Sequence, residues 1–383
     1  MNSVVYVSHD ALTEGIGMSQ IRPLVKGLAD KGWNVTLISM EKRQPSQEIR
    51  SELSQANVNW IPLSFGERGF IHGIFRVLKL IRILPNADVY HCRGDLASLS
   101  VVSRFKRNYL WDVRGLWGEQ KMVIGSAPDN ALFRKIFIGI EKLVASRASA
   151  VTTLANALFP ILEKRTGSLP TRRDVIPTCV DLELFKFQPK LPQRTTLLLS
   201  GVFNDYYDID QMQKIIPILS SALNLKVIWC RGDESDRNDL GIGEIEIYSR
   251  KQNEMPLEIA NASIGMAICK VSAGVSLAGV MPTKVAEFLS TGRPVIISPG
   301  MGDLNKIVST YNVGVVVESP LDENELVSQV KALLKDPEMP NRCRNVAEEY
   351  FNMRNAISKY EVLYRGIIED NEKNSRNSTS ELA

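Results

Sequence analysis

Residues 282–303 read Pro-Thr-Lys-Val-Ala-Glu-Phe-Leu-Ser-Thr-Gly-Arg-Pro-Val-Ile-Ile-Ser-Pro-Gly-Met-Gly-Asp. Val285, Phe288 and Leu289 give this stretch one helical apolar face. Pro282 suits the first turn, and Gly292 marks the end. Thr283 and Lys284 then lie among the outward-pointing N–H groups of a helix start, which favour an anion. Glu287, three residues on, can accept hydrogen bonds from a diol. A cation and free amides for a diphosphate, with a carboxylate for a ribose, make a nucleotide-diphosphate site. The same residues also fit an ordinary surface pair on a strand-flanked helix.

Other polar residues cluster in loops. Gly15 and Gly17 precede Ser19 in a loop that leads from a strand into a helix, where small residues let a ligand approach the backbone. His91 and Arg93 follow an apolar run, as do Asp112, Arg114 and Glu119. Arg114 and Asp112 are also placed to make a purely structural ion pair. In the second half, Gly201 follows an apolar run. Arg231 and Lys270, with the backbone around Gly274, supply further charge and donors, and Asp303 closes the 282–303 stretch.

These residues need a scaffold that gathers strand ends. Residues 4–7, 34–39, 60–63, 89–91, 109–111 and 150–153 read as strands, with helices at 19–31, 134–149 and 157–164. A second alternating series has strands at 196–200, 226–229, 244–247, 264–269, 294–298 and 313–317, and helices at 323–335 and 341–369. Strand–helix alternation predicts α/β architecture with doubly wound parallel sheets, in which ligands bind outside the carboxyl ends of the strands. Two prolines among polar residues at 187–194 predict a linker. The expected division is 1–188, 195–345, a closing helix at 346–369, and a disordered tail at 370–383.

The 282–303 stretch resembles the donor-site helix of retaining glycosyltransferases of family 4 (group 1). The resemblance extends to the Ile-Pro-x-x-Val-Asp-x-x-x-Phe run at 176–185 and to the segments around His91 and Asp112, which are similar to a bacterial polysaccharide-type subgroup. It implies a GT-B fold: two Rossmann-like domains with an interdomain cleft, the first taking the acceptor and the second the nucleotide-sugar. It implies transfer of a sugar, with retention, to a glycan or lipid-linked acceptor in bacterial surface polysaccharide or glycolipid synthesis. His91, Asp112 and Arg114 are then the candidates for catalysis. Gly201, Arg231, Lys270, Gly274, Pro282, Thr283, Lys284, Glu287 and Asp303 are those for the donor, and Gly15, Gly17, Ser19, Arg93 and Glu119 those for the acceptor side. Many family members carry a His where this chain has Asp112, and a Glu where it has Gly279. The second departure keeps a non-catalytic GT-B subunit in view, alongside a GT-B sugar-nucleotide epimerase.

Composition narrows the setting. The 383 residues suit two domains. No apolar run approaches the roughly 20 residues of a membrane span, and no secretory leader is expected. Five scattered cysteines and three histidines lack metal-ligand spacing. A structural zinc site is therefore not expected; with amides and cations to hold the phosphates and no Asp-x-Asp pair placed to carry a metal, no metal and no cofactor beyond the nucleotide-sugar co-substrate is expected, and the location expected is cytoplasmic. Residues 1–190 hold 26 Lys and Arg against 17 Asp and Glu, and the remainder 20 against 26. The basic first half, with Arg76, Lys79 and Arg82 in an amphipathic stretch at 70–84, predicts peripheral association with an anionic membrane at its inner face. A nucleic-acid partner is not expected, because aromatic stacking motifs are missing.

Overall fold

The computed structural model describes residues 1–67, 69–231 and 245–380. They form two units, one made of residues 1–176 with the chain from Met353 onward, the other running from Pro177 to Asn352.

The first unit holds a seven-stranded parallel sheet. Its strands are β1 (Ser3–Ser8), β2 (Asn34–Glu41), β3 (Val58–Ser64), β4 (Val89–Arg93), β5 (Tyr109–Val113), β6 (Ala150–Thr153) and β7 (Arg173–Val175), in the order β3-β2-β1-β4-β5-β6-β7. Val5 pairs with Thr36 on one side and Tyr90 on the other. Central strands such as β1 and β5 are almost wholly buried, which is why they read as continuous apolar runs rather than alternating ones. Strand order reverses between β1 and β4, so the crevice outside Ser8 and Arg93 is the switch point where such sheets bind ligands.

The second unit repeats the plan with six strands, β8 (Thr196–Ser200), β9 (Lys226–Arg231), β10 (Ile245–Ser249), β11 (Ile264–Ala267), β12 (Val295–Ile297) and β13 (Gly314–Val316). Their order is β10-β9-β8-β11-β12-β13, with the reversal between β8 and β11. Side-chain caps start several connecting helices: Asp208 accepts from the Gln211 amide and Asp322 from the Glu325 amide, each at 3.0 Å. Gly292, at φ +84°, stops the helix Thr283–Ser290 in the left-handed region, where a side chain would be strained.

Three boundaries differ from the sequence reading. The division falls at 176/177, not within 187–194. The segment between is tied into the second unit: the Thr178 hydroxyl donates to the Met281 carbonyl at 2.7 Å, and the Val180 amide to that of Phe351 at 2.8 Å. The expected 341–369 helix is two, Met339–Tyr350 and Met353–Ser380, broken at Phe351–Asn352, and the second belongs to the first unit. That helix also runs on to Ser380 where a disordered tail was expected. Residues 381–383 lie outside the described residues, as does Glu244, the first residue of the strand expected at 244–247.

Candidate active site

In the second unit the polar candidates stand at consecutive strand ends. The helix Thr283–Ser290 begins just after Pro282, whose φ −63° and ψ 129° place it outside the first turn as the capping position. Lys284 therefore sits at the second helical position, beside unpaired N–H groups. Its ammonium is buried and has no hydrogen-bond partner among the described residues. It lies 4.5 Å from the ring centre of Phe203 and 4.3 Å from that of Tyr207. These rings meet edge to face at 4.9 Å, and Phe203 rests on Trp229 at 5.6 Å. The π faces attract the cation but offer no acceptor. Burial pushes the Lys284 ammonium down to about 8, against the pull of Cys269 and Glu287. Burial also pushes the Glu287 carboxyl up to about 7, with Lys284 opposing. Each group is thus held part-way from its preferred charge state, a condition an arriving anion and diol would relieve.

The remaining donor-side candidates frame this pair. Gly201, at φ +79°, turns the chain out of β8, and its carbonyl accepts from the Trp229 indole at 2.8 Å. Arg231 ends β9 and stacks its guanidinium 5.4 Å from the same Trp229. Lys270 follows β11, its amide donating to the Tyr206 carbonyl at 3.0 Å. Gly274, at φ +57°, kinks the 3-10 stretch Val271–Gly279. The Gly302 amide is bound to the Leu277 carbonyl at 3.0 Å, which ties the loop after β12 to that stretch, and Asp303 opens the helix Leu304–Tyr311. Phe203 and Tyr207 were not singled out from the sequence. Their signal was the absence of basic residues in the loop after Gly201, which leaves room for rings.

In the first unit, pairing of Arg93 with Asp112 in adjacent strands brings His91, Arg93, Asp112 and Arg114 together. The His91 ring, however, is 0% exposed. Its Nε2 lies 3.2 Å from Asp112 Oδ2 and its Nδ1 2.5 Å from the Tyr364 hydroxyl. With Asp112 ionised, Nε2 donates and Nδ1 accepts. The ring is enclosed by Tyr6 at 4.3 Å and Tyr360 at 4.7 Å. Burial holds its pKa below the ordinary value, although Asp112 raises it. The ligand contact expected of His91 is therefore replaced by a structural role: it joins the sheet to the helix Met353–Ser380. Asp112 is buried as well. Burial opposes its charge, but Arg114, His91 and Arg93 outweigh that and keep its carboxyl well below the usual range. The Thr152 hydroxyl donates to it at 3.0 Å, and Arg114 stands 3.5 Å away. Arg93 pairs with Asp10 at 2.8 Å.

Glu119 is a second correction. It is buried in an ion-pair network, with Arg165 at 2.9 Å and Arg134 at 2.9 Å, and Arg165 continues to Glu141 at 2.6 Å. It locks helices together rather than facing a ligand. The glycine loop divides in two. Gly15 is in open space, and its carbonyl accepts from the Ser19 hydroxyl at 2.7 Å, whereas a Cβ on Gly17 would lie 2.1 Å from the Ala11 carbonyl oxygen. The close approach that Gly17 permits is thus to the chain itself.

Two residues at this sheet's carboxyl edge went unnoticed in the sequence. Glu41, at the end of β2, accepts from the Leu12 and Thr13 amides at 2.8 and 3.2 Å and so holds the loop after β1. His9, directly after β1, has both ring nitrogens buried without a hydrogen-bond partner, and burial pushes it down to about 4. Nothing in their local spacing marks either. Among the described residues no group of three His, Cys, Asp or Glu is placed to hold a metal, and no helix is long and apolar enough to cross a membrane.

Two Rossmann-like parallel-sheet units, each with its polar residues at the carboxyl ends of its strands, define a GT-B fold. Solved structures carry the same fold. Sucrose-phosphate synthase from Thermosynechococcus elongatus matches with a TM-score of 0.71 at 17% identity, over 97% of this chain and 100% of that one. HepE from Anabaena, in complex with UDP and glucose, matches at 0.68 and 11%, over 94% and 98%. A glycosyltransferase from Rickettsia africae matches at 0.64 and 13%, over 96% and 98%. No curated protein matches the sequence. The family models are decisive: Glycosyltransferase Family 4 matches residues 19–184 and Glycosyl transferases group 1 matches residues 182–350. The chain belongs to this glycosyltransferase family and is a transferase enzyme.

Proposed function

We propose that the protein transfers a sugar, with retention of anomeric configuration, from a nucleoside-diphosphate donor to a hydroxyl of a glycan or lipid-linked acceptor. The setting is synthesis of a bacterial surface polysaccharide or glycolipid at an anionic membrane. The observation that carries the donor assignment is the buried, unpartnered Lys284 ammonium at a helix start, three residues before a partly buried Glu287. In this reading the diphosphate takes the N–H groups of the first turn and the Lys284 charge, and Glu287 accepts from the ribose hydroxyls. The loops through Gly201, Gly274 and Asp303 then border the sugar. A relative holding UDP supports the same class of donor. Phosphate charge is met by amides and cations, so binding is expected without a metal. The acceptor side falls to the first unit, where Arg93 and the loop holding Gly15 and Ser19 flank the switch point and Arg114 follows the neighbouring strand β5.

Calorimetric titration with UDP, GDP, ADP and CMP, with and without magnesium, tests this. Binding of one diphosphate, unchanged by magnesium, is expected. Binding of none would overturn the donor site, and binding only with magnesium would overturn the metal-free reading.

A further inference from the structure

We propose that the helix Phe70–Ile83 and the turn at residues 103–107 form a docking face for an anionic lipid bilayer. The proposal gives a surface to the membrane association in the reading above and rests on that reading for its purpose.

The helix is inverted relative to an ordinary surface helix. Ile71, Ile74, Phe75 and Leu78, spaced as one helical stripe, are 66%, 49%, 62% and 44% exposed. Arg76 is buried on the opposite side. Its guanidinium donates to the Glu67 carbonyl at 2.8 Å and stacks 4.1 Å from the Phe65 ring. Exposed apolar residues occurring singly are unremarkable, but four in one stripe, with the charge turned inward, signal an apolar medium outside. Lys79 and Arg82 extend the stripe by one turn and are exposed.

A second element joins it. Arg104 donates to the Ile81 and Leu84 carbonyls at 2.9 and 3.3 Å, which fixes the turn against the helix end. There Phe105 is 81% exposed and held at φ +58°, a conformation uncommon for a bulky side chain and costly to maintain. Arg104, Lys106 and Arg107 flank it, and the Arg147 guanidinium lies 6.0 Å from its ring. Neither residues 69–87 nor residues 96–111 contain an Asp or Glu. An apolar stripe and a projecting aromatic ring, bordered mainly by cations, with the exposed Glu67 carboxylate 3.6 Å from His72 at the helix start, match a shallow interfacial position among anionic headgroups.

The test is co-sedimentation of the full chain with phosphatidylcholine vesicles, with and without phosphatidylglycerol, at low and high salt. Binding only to the phosphatidylglycerol vesicles, weakened by salt, is expected. The pair Ile71→Ser with Phe75→Ser, and Phe105→Ser separately, should each weaken binding roughly tenfold or more, since each removes inserted apolar surface. Melting temperature should stay unchanged, because these side chains are exposed. No vesicle binding by the wild type, or equal binding by the variants, would overturn the proposal. So would a self-association of the wild type that the same variants abolish, which would give the face to a second copy. Nucleotide titration of the same samples keeps the two readings apart. Vesicle binding without nucleotide binding sinks the donor site alone, and the reverse sinks the docking face alone.

Discussion

At the scale of single residues, Lys284 and Glu287 make the donor reading quantitative. With Lys284 at about 8 and Glu287 at about 7, nucleoside-diphosphate affinity should be greatest between those values. Above about 8 the free protein loses the Lys284 proton and must regain it to hold the diphosphate, so affinity falls by up to roughly tenfold per pH unit. Below about 7 the Glu287 carboxyl is neutral and accepts more weakly from a diol. Titrations across this range should give a bell, and Glu287→Gln should weaken its acid side and move its basic side to lower pH, because Glu287 raises the Lys284 pKa. A profile unchanged by Glu287→Gln would break the assignment. Lys284→Met should lower affinity by about 1.5–3 kcal/mol, the usual size of a charge-assisted hydrogen bond. It should also stabilise the unliganded protein, because a buried ammonium without a partner is replaced by an apolar chain on the same rings. A gain of about 1 kcal/mol, roughly 2–4 °C in melting temperature, is expected. Stability of the wild type should rise with pH from about 8 towards the unfolded value near 10.5, since over that window the unfolded chain binds the extra Lys284 proton. The pair was visible in the sequence because both residues lie within one helical turn. The ring cage was not, because Phe203 stands far from Lys284 in sequence and an aromatic residue after a strand reads as core.

At the scale of elements, the strands were legible except the short edge strand β7 (Arg173–Val175), which was missed, and several connections were not. Central parallel strands announce themselves as apolar runs, whereas the helices Gln47–Gln55, Asp95–Val102 and Leu304–Tyr311 are only nine, eight and eight residues long. His91 shows the limit most plainly. Its strand-end position is the same whether the ring faces solvent or the interior, and its partner Tyr364 lies 273 residues away. That partner belongs to the helix Met353–Ser380, which Trp33 also reaches through its indole, 3.1 Å from Glu361 Oε1. Tyr364→Phe leaves the ring in place but strips His91 Nδ1 of its donor. The expected cost is about 1–3 kcal/mol, the penalty for an unsatisfied buried polar atom. Hydrogen exchange should accelerate along residues 353–370 and within β4 while the second unit keeps its protection. Uniform acceleration throughout the chain would show instead that the helix is not a local strap of the first sheet.

At the scale of the whole molecule, the sequence suggested two halves but misplaced where they divide, because Pro189 and Pro192 resemble a linker while the hydrogen bonds of residues 177–188 lie inside the second unit. The consequence is an asymmetry in what each half can do alone. The second unit is one continuous stretch, Pro177–Asn352, with its own sheet and core. The first unit is discontinuous and depends on a helix that the chain supplies only after the second is complete. Without that helix, His91 and Trp33 lose the covering given by Tyr360, Tyr364 and Glu361. A fragment of residues 177–352 should therefore unfold cooperatively and bind the diphosphate chosen by the titration panel. A fragment of residues 1–176 should not unfold cooperatively, since domains of this size retain only about 5–15 kcal/mol of net stability and a stripped aromatic face consumes much of it. Joining residues 353–380 to the first fragment through a flexible linker should restore a cooperative transition. Cooperative unfolding of residues 1–176 alone would mean that the helix is an accessory to the first unit, and a disordered 177–352 fragment would mean that nucleotide binding needs the intact chain.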